Sequence, residues 1–310
     1  MLRAFLLIVV GLGGDPEHAE LFHKWGKTLV EASERVGVTR DHLMFLAESK
    51  EEESRTTGRA TKQDIEKAFA TLAASSEPDD VVYVVLLGHG SYDGQAARFN
   101  LPGPDMTAAD FGVLLRKLPA RNVVVVNASS SSGPFVEELS GPGRTIITAT
   151  RSGAEQFTTL FGGFFVEAFS AEAADADKNQ RVSMLEAFHY AKGEVTRAYE
   201  REGLLMTEHA QLDDNGDKTG SQDPTATGTD GRLAAALSLG SAADAAPLPE
   251  NPALRALYLE RRELERRVEA LRLLKDSMPP ARYASELERR VTDLALKTRE
   301  IRTLEGDPKP

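Results

Sequence analysis

Val81-Val82-Tyr83-Val84-Val85-Leu86-Leu87 is an unbroken apolar run, and Val123-Val124-Val125-Val126 is a second. A strand with one wet face alternates apolar and polar residues, whereas an unbroken run has no wet face and must be covered on both sides. Both runs therefore read as central strands of a parallel sheet enclosed by helices. Thr145 to Thr148, Leu6 to Val10 and Leu43 to Leu46 are shorter segments of the same character. Between them the apolar spacing is helical: Leu21, Trp25, Leu29 and Val30 within Glu17 to Val36, then Ile65, Phe69 and Leu72 within Thr61 to Ala74. Thr107 reads as the N-cap of a helix reaching Leu118, and two further helices span roughly Thr159 to Phe169 and Ser183 to Arg201. Strand and helix in alternation predict an α/β fold with a mainly parallel sheet.

The pattern changes after that. From Thr219 to Glu250 the chain is rich in Gly, Ser, Thr, Asp and Ala, which reads as a long loop or linker. Asn251-Pro252 then supplies an N-cap and a first-turn proline. Leu257, Leu264 and Leu271 recur every seven residues, and so do Leu287, Leu294 and Ile301 beyond Pro279-Pro280. This is the pattern of an antiparallel helical hairpin with a coiled-coil-like seam. The expected organisation is an α/β domain over 1–232, a linker over 233–250 and the hairpin over 251–306. Residues 251–310 hold 14 basic and 11 acidic side chains, leaving 23 and 37 for residues 1–250. The hairpin is thus a separate module, suited either to self-association or to packing on its own chain.

Several function classes drop out on composition. The formal charge is -11, which argues against a nucleic-acid partner. There is no cysteine among the 310 residues, so disulfides, zinc thiolates and a cysteine nucleophile are all excluded. No apolar run is long enough to span a bilayer. The strand at Leu6 to Val10 begins almost at the first residue, an abrupt start that points to a removed export signal and a periplasmic or secreted protein.

In an open α/β sheet, ligands bind beyond the carboxyl ends of the strands. Gly88-His89-Gly90-Ser91 follows the first strong run, and Asn127-Ala128-Ser129-Ser130-Ser131-Ser132-Gly133 follows the second. A histidine and a serine-rich turn at the ends of two such strands are the minimal parts for acyl transfer. Here the chain resembles the legumain, caspase and gingipain superfamily of peptidases, and legumain most closely. The segment Phe99-Asn100-Leu101-Pro102-Gly103-Pro104-Asp105-Met106 with Asp110-Phe111, and Thr148-Ala149-Thr150 after the next strand, look like the corresponding legumain stretches. The resemblance implies a caspase-like fold and a peptide or protein as substrate or ligand. By its motifs His89 is the catalytic histidine, Gly90 an oxyanion-hole donor and Ser129 the nucleophile position, which the family fills with cysteine.

A hydroxyl is a far weaker acid than a thiol and needs a base in direct contact. Three readings follow: a working serine nucleophile at Ser129 or a neighbour among Ser130 to Ser132, an inactive peptidase that still binds a peptide or protein, or a serine turn that caps the helix at Phe135 to Glu138. In relatives the loop after the first strand helps build the specificity pocket, which nominates Asp15, although an Asp before Pro16 also suits a helix N-cap. Arg151 and Glu155 are further pocket candidates, or an ordinary surface loop. His18 and His23 stand five apart on one helix and do not share a face.

Residues 175–186 fit a twelve-residue calcium loop. Asp175, Asp177 and Asn179 hold positions one, three and five, the Arg181 carbonyl position seven, Ser183 position nine and Glu186 position twelve. Position six, normally glycine, is Gln180, which should strain the turn. The same residues would otherwise make an acidic helix start capped by Ser183. A second cluster, Asp213-Asp214-Asn215-Gly216-Asp217, has Asp-x-Asn-x-Asp spacing but Pro224 at the twelfth position; it reads as a polar turn, with half a calcium site, or a completion of the first from a distance, as the alternative.

Overall fold

The structure is a computed structural model that describes residues 3–49, 55–240, 248–273, 275 and 278–305. Contacts divide the chain into two units, Arg3–Ala242 and Ala243–Pro310. The first is the expected α/β domain. Its main sheet has seven strands in the order β10-β9-β8-β4-β1-β2-β3. These are β1 (Ala4–Val10), β2 (Leu43–Ala47), β3 (Gly58–Arg59), β4 (Val81–Leu87), β8 (Asn122–Asn127), β9 (Arg144–Thr148) and β10 (Gln211–Asp213). All neighbours run parallel except β10, which pairs antiparallel with β9.

The unbroken apolar runs are explained by two covered faces. Every residue of β4 is buried, and β1 flanks it from Ala4↔Val81 to Val10↔Leu87. Phe5, Leu7 and Val9 of β1 join Val82, Val84 and Leu86 of β4 in one core. That core is closed by α2 (Lys62–Ser75), α3 (Ala108–Leu115) and α4 (Pro134–Leu139) through Ile65, Phe69, Phe111, Phe135 and Leu139. The alternate residues Leu6, Ile8, Val85 and Leu87 are equally buried on the opposite face, where α1 (Pro16–Arg35), α5 (Phe161–Ala168) and α6 (Met184–Glu202) lie. Each fully buried Val or Leu contributes about 1.5–3 kcal/mol, so strands covered twice dominate the stability of this unit.

From β1 the chain runs outward to β2 and β3, then returns to the other side of β1 at β4. The strand order therefore reverses between β1 and β4, where an α/β sheet opens a crevice at its carboxyl edge. A second sheet, β5 (Gly90–Tyr92), β6 (Ala97–Phe99) and β7 (Met106–Thr107), starts directly after His89.

Two boundaries differ from the sequence reading. The helix capped by Thr107 ends at Leu115, short of Leu118, because Pro119 disfavours helical geometry before it. The stretch expected as linker from 233 still belongs to the α/β unit: α7 (Arg232–Ala236) forms there, Leu237 and Leu239 are buried, and Met184 N–H donates to the Leu237 carbonyl at 2.8 Å. The second unit contains two helices, α8 (Pro252–Leu273) and α9 (Pro280–Glu305). They are antiparallel: the Tyr258 hydroxyl meets Glu305 at 2.6 Å, and Arg290 meets the Arg267 carbonyl at 2.9 Å. Leu271 and Ile301 of the expected seam are buried. No helix among the described residues is long and apolar enough to cross a membrane.

Candidate active site

His89 follows β4 and Ser129–Ser132 follow β8, on adjacent parallel strands at the carboxyl edge. The histidine side is built by α1 and its preceding loop. Asp15 is the N-cap of α1, accepting the His18 amide at 2.9 Å, and its second oxygen lies 2.7 Å from His18 Nδ1. His18 stands edge-on to the His89 ring at 4.9 Å, and Phe22 one turn later does so at 5.0 Å. The His89 ring also bonds the Gly13 backbone. Burial, then the neighbouring His18, hold the His89 pKa below the ordinary imidazole value, which keeps the ring neutral at pH 7. Its main chain is fixed by Asn100, whose N–H donates to the His89 carbonyl at 3.0 Å while its carbonyl accepts from Leu12 at 3.0 Å.

The serine side is a buried turn. Ser129 is fully buried, and its hydroxyl donates to Asn127 Oδ1 at 2.7 Å. Ser130 Oγ accepts the Gly90 N–H at 3.2 Å and lies 3.0 Å from the Gly90 carbonyl. Ser131 takes a left-handed backbone (φ 54°), held by its N–H on the Glu155 carbonyl at 2.7 Å and its hydroxyl on the Gly153 carbonyl at 3.0 Å. Ser132 pairs with Thr150, hydroxyl to hydroxyl at 3.2 Å. Glycine is required at position 90 because a Cβ there would fall 2.2 Å from the Ser130 carbonyl and 2.6 Å from Ser129 Oγ.

No hydrogen bond joins the His89 ring to any of the four serine hydroxyls. Of the four, Ser130 is the one that reaches the Gly90 N–H, whereas Ser129 faces two acceptors, Asn127 Oδ1 and the Ser130 carbonyl. The turn does not cap α4, since Gly133 is the N-cap residue without a side-chain bond and Pro134 opens the helix.

A family model described as the Peptidase C13 family matches residues 59–215, just over half of the chain. The chain belongs to the peptidase C13 family, that of legumain. The matched span of this C13 member contains His89, the serine turn and the 175–186 loop, while β1 and α1 precede it. Among solved structures it is similar to protein GSU0716 from Geobacter sulfurreducens, at 13% identity over 68% of this chain and 92% of that one, with a TM-score of 0.43. No curated protein matches the chain.

Arg151 and Glu155, expected either as pocket residues or as a surface loop, lie over the serine turn. Glu155 accepts the backbone amides of Arg151 and His209, both at 3.1 Å, and its other oxygen meets His209 Nδ1 at 2.7 Å and Arg151 Nε at 3.1 Å. Glu155 thus clamps the 151–155 loop against the segment leading into β10. Beyond it Phe157 is 71% exposed. Asn100, Asn127, Thr150, His18 and His209 all brace the site, and none was singled out for that role by its sequence spacing.

In the 175–186 loop, carboxylate oxygens of Asp175, Asp177 and Glu186 all lie within 4.8 Å of one another. Gln180 adopts φ 67°, the left-handed turn that position six requires. Asn179 N–H donates to Asp175 at 3.0 Å, Arg181 N–H donates to Asn179 Oδ1 at 2.9 Å, and Ser183 with Glu186 forms a capping box at the start of α6.

Proposed function

We propose that this C13 member is a peptide- or protein-binding module built on a peptidase scaffold, without hydrolytic turnover. One observation carries the reading: the His89 imidazole makes no hydrogen bond to a serine hydroxyl, while each hydroxyl of the turn is committed elsewhere. An alcohol with no base in contact is a poor nucleophile. The Gly90 N–H, the donor that would stabilise an oxyanion, is already taken by Ser130. Exposed Phe157, in the loop after β9, and Leu21, on α1, offer apolar contacts for a peptide or protein ligand. The test is a serine-directed phosphonate together with a broad peptide library. We expect no adduct on Ser129 or Ser130, no cleavage, and unchanged affinity for selected peptides in Ser130→Ala. Turnover that disappears in His89→Ala would overturn the reading.

One observation favours hydrolysis as a second reading. Ser130 Oγ sits on the amide of Gly90, the residue after His89, so a rearrangement on substrate binding that brought the imidazole onto that hydroxyl would give it a base. Under this reading Ser130, rather than Ser129, carries the phosphonate adduct.

We further propose that Asp175, Asp177, Asn179, Arg181, Ser183 and Glu186 hold a calcium ion. The convergence of three carboxylates and the left-handed Gln180 support it. Isothermal titration of chelator-treated protein should show binding from which Asp175→Ala removes one site, and a flat titration of the parent chain would end the idea.

A further inference from the structure

β10 ends on Asp213, and the chain turns there through Asp214-Asn215-Gly216-Asp217. Three carboxylates are buried at this edge of the sheet: Asp213 at 0% exposure, Asp214 at 8% and Asp230 at 7%. Asp214 uses both oxygens on the start of α7, accepting from Gly231 N–H at 2.9 Å and Ala234 N–H at 2.8 Å. Asp213 accepts the Asn215 and Gly216 amides through Oδ1, at 3.2 and 3.0 Å. Its Oδ2 is buried and no hydrogen bond reaches it.

Asp230 accepts the Asp214 amide at 3.2 Å. Burial, with repulsion from Asp213, Asp214 and Asp217, raises its pKa to about 6. None of these four carboxylates forms an ion pair with a lysine or arginine among the described residues. A polar turn, the sequence reading, explains Asp217 and Asn215 but not a fully buried carboxylate oxygen beside other carboxylates. Such a group needs a counter-charge, and a bare acceptor in the interior is costly.

We propose that a hard divalent cation, calcium by its tolerance of irregular oxygen cages, binds between Asp213 Oδ2 and the Asp230 carboxylate. The ion replaces the missing donor and counter-charge together. It also fixes β10, on which Gln211 reaches the carbonyls of Gly133 and Arg151, each at 3.4 Å, just behind the serine turn. This site is independent of the 175–186 loop and of whether the serine turn is catalytic.

The test is equilibrium dialysis of chelator-treated full-length protein with radioactive calcium, run on Asp175→Ala so that the other loop does not contribute. One bound calcium should remain in that chain and vanish when Asp230→Asn is added. Melting separates this from misfolding. Without metal, Asp230→Asn should melt higher than its parent, because one repelling charge is gone; with calcium, only the parent should gain, by roughly 3–6 °C at saturating ion. No calcium bound to Asp175→Ala, or full binding retained in Asp230→Asn, would overturn the proposal.

Discussion

His89 and the serine turn lie on adjacent strands, yet they are held by opposite means. The histidine is half-buried and kept in place by ring contacts with His18 and Phe22 and a bond to the Gly13 backbone. The serines are almost fully buried and tied to Gly90, Asn127, Thr150, Gly153 and Glu155. Ring contacts permit rotation at small cost, whereas a buried hydrogen-bond network must be broken at several points together. In this site the base is adjustable and the nucleophile position is locked. A working serine hydrolase needs the two in register, so the locked half decides what the site can do.

The severest way to break that contrast is Gly90→Ala. The new Cβ would meet backbone and hydroxyl oxygens of the serine turn at 2.2 and 2.6 Å, and the Ser130 carbonyl cannot move alone. A loss of about 3 kcal/mol is expected in urea unfolding, at the upper end for overpacking, with His89 contacts unaffected. A loss below about 1 kcal/mol would mean the turn is soft and the locked half is not locked.

A second comparison separates Ser129 from Ser130 by their neighbours. Ser129 Oγ faces two acceptors, which would raise the pKa of a thiol placed there, while Ser130 Oγ faces one, the Gly90 carbonyl, and receives the Gly90 N–H, which would hold a thiol there lower than at 129. Ser130→Cys should therefore alkylate with iodoacetamide at least about tenfold faster at pH 7.5 than Ser129→Cys. Equal rates, or the reverse order, would remove the distinction that favours Ser130 over Ser129.

The locked half is also where the sequence was least readable. Val81–Leu87 emerged as β4 with the same ends because a strand covered on both faces writes its burial into every residue. The resemblance supplied Asn100 and Thr150 within larger motifs, but their work is done through backbone amides, carbonyls and one hydroxyl, which leave no periodic trace. β5–β7 are only two or three residues long and fall below any alternation signal. The small residues after 233 look like a linker, while Leu237 and Leu239 among them are what pack. Helical spacing relates His18 only to residues of its own helix such as His23, whereas its partner is His89, at the end of a strand.

The smallest expected effect tests the adjustable half. Burial and His18 lower the His89 pKa, while the Asp15 charge opposes them. The unfolded chain therefore binds a proton near pH 6.5 that the folded chain takes up only at lower pH. The stability contributed by a neutral His89 is present above pH 6.5 and falls away as pH drops through that window. In a histidine-resolved NMR titration His89 should have its midpoint below 6.5. His18→Gln should move that midpoint up by removing a competing positive charge, and Asp15→Asn should move it further down. Shifts of the same sign in both variants would mean that the ring responds to repacking at the start of α1 rather than to charge. The contrast between an adjustable base and a fixed alcohol would then rest on packing alone.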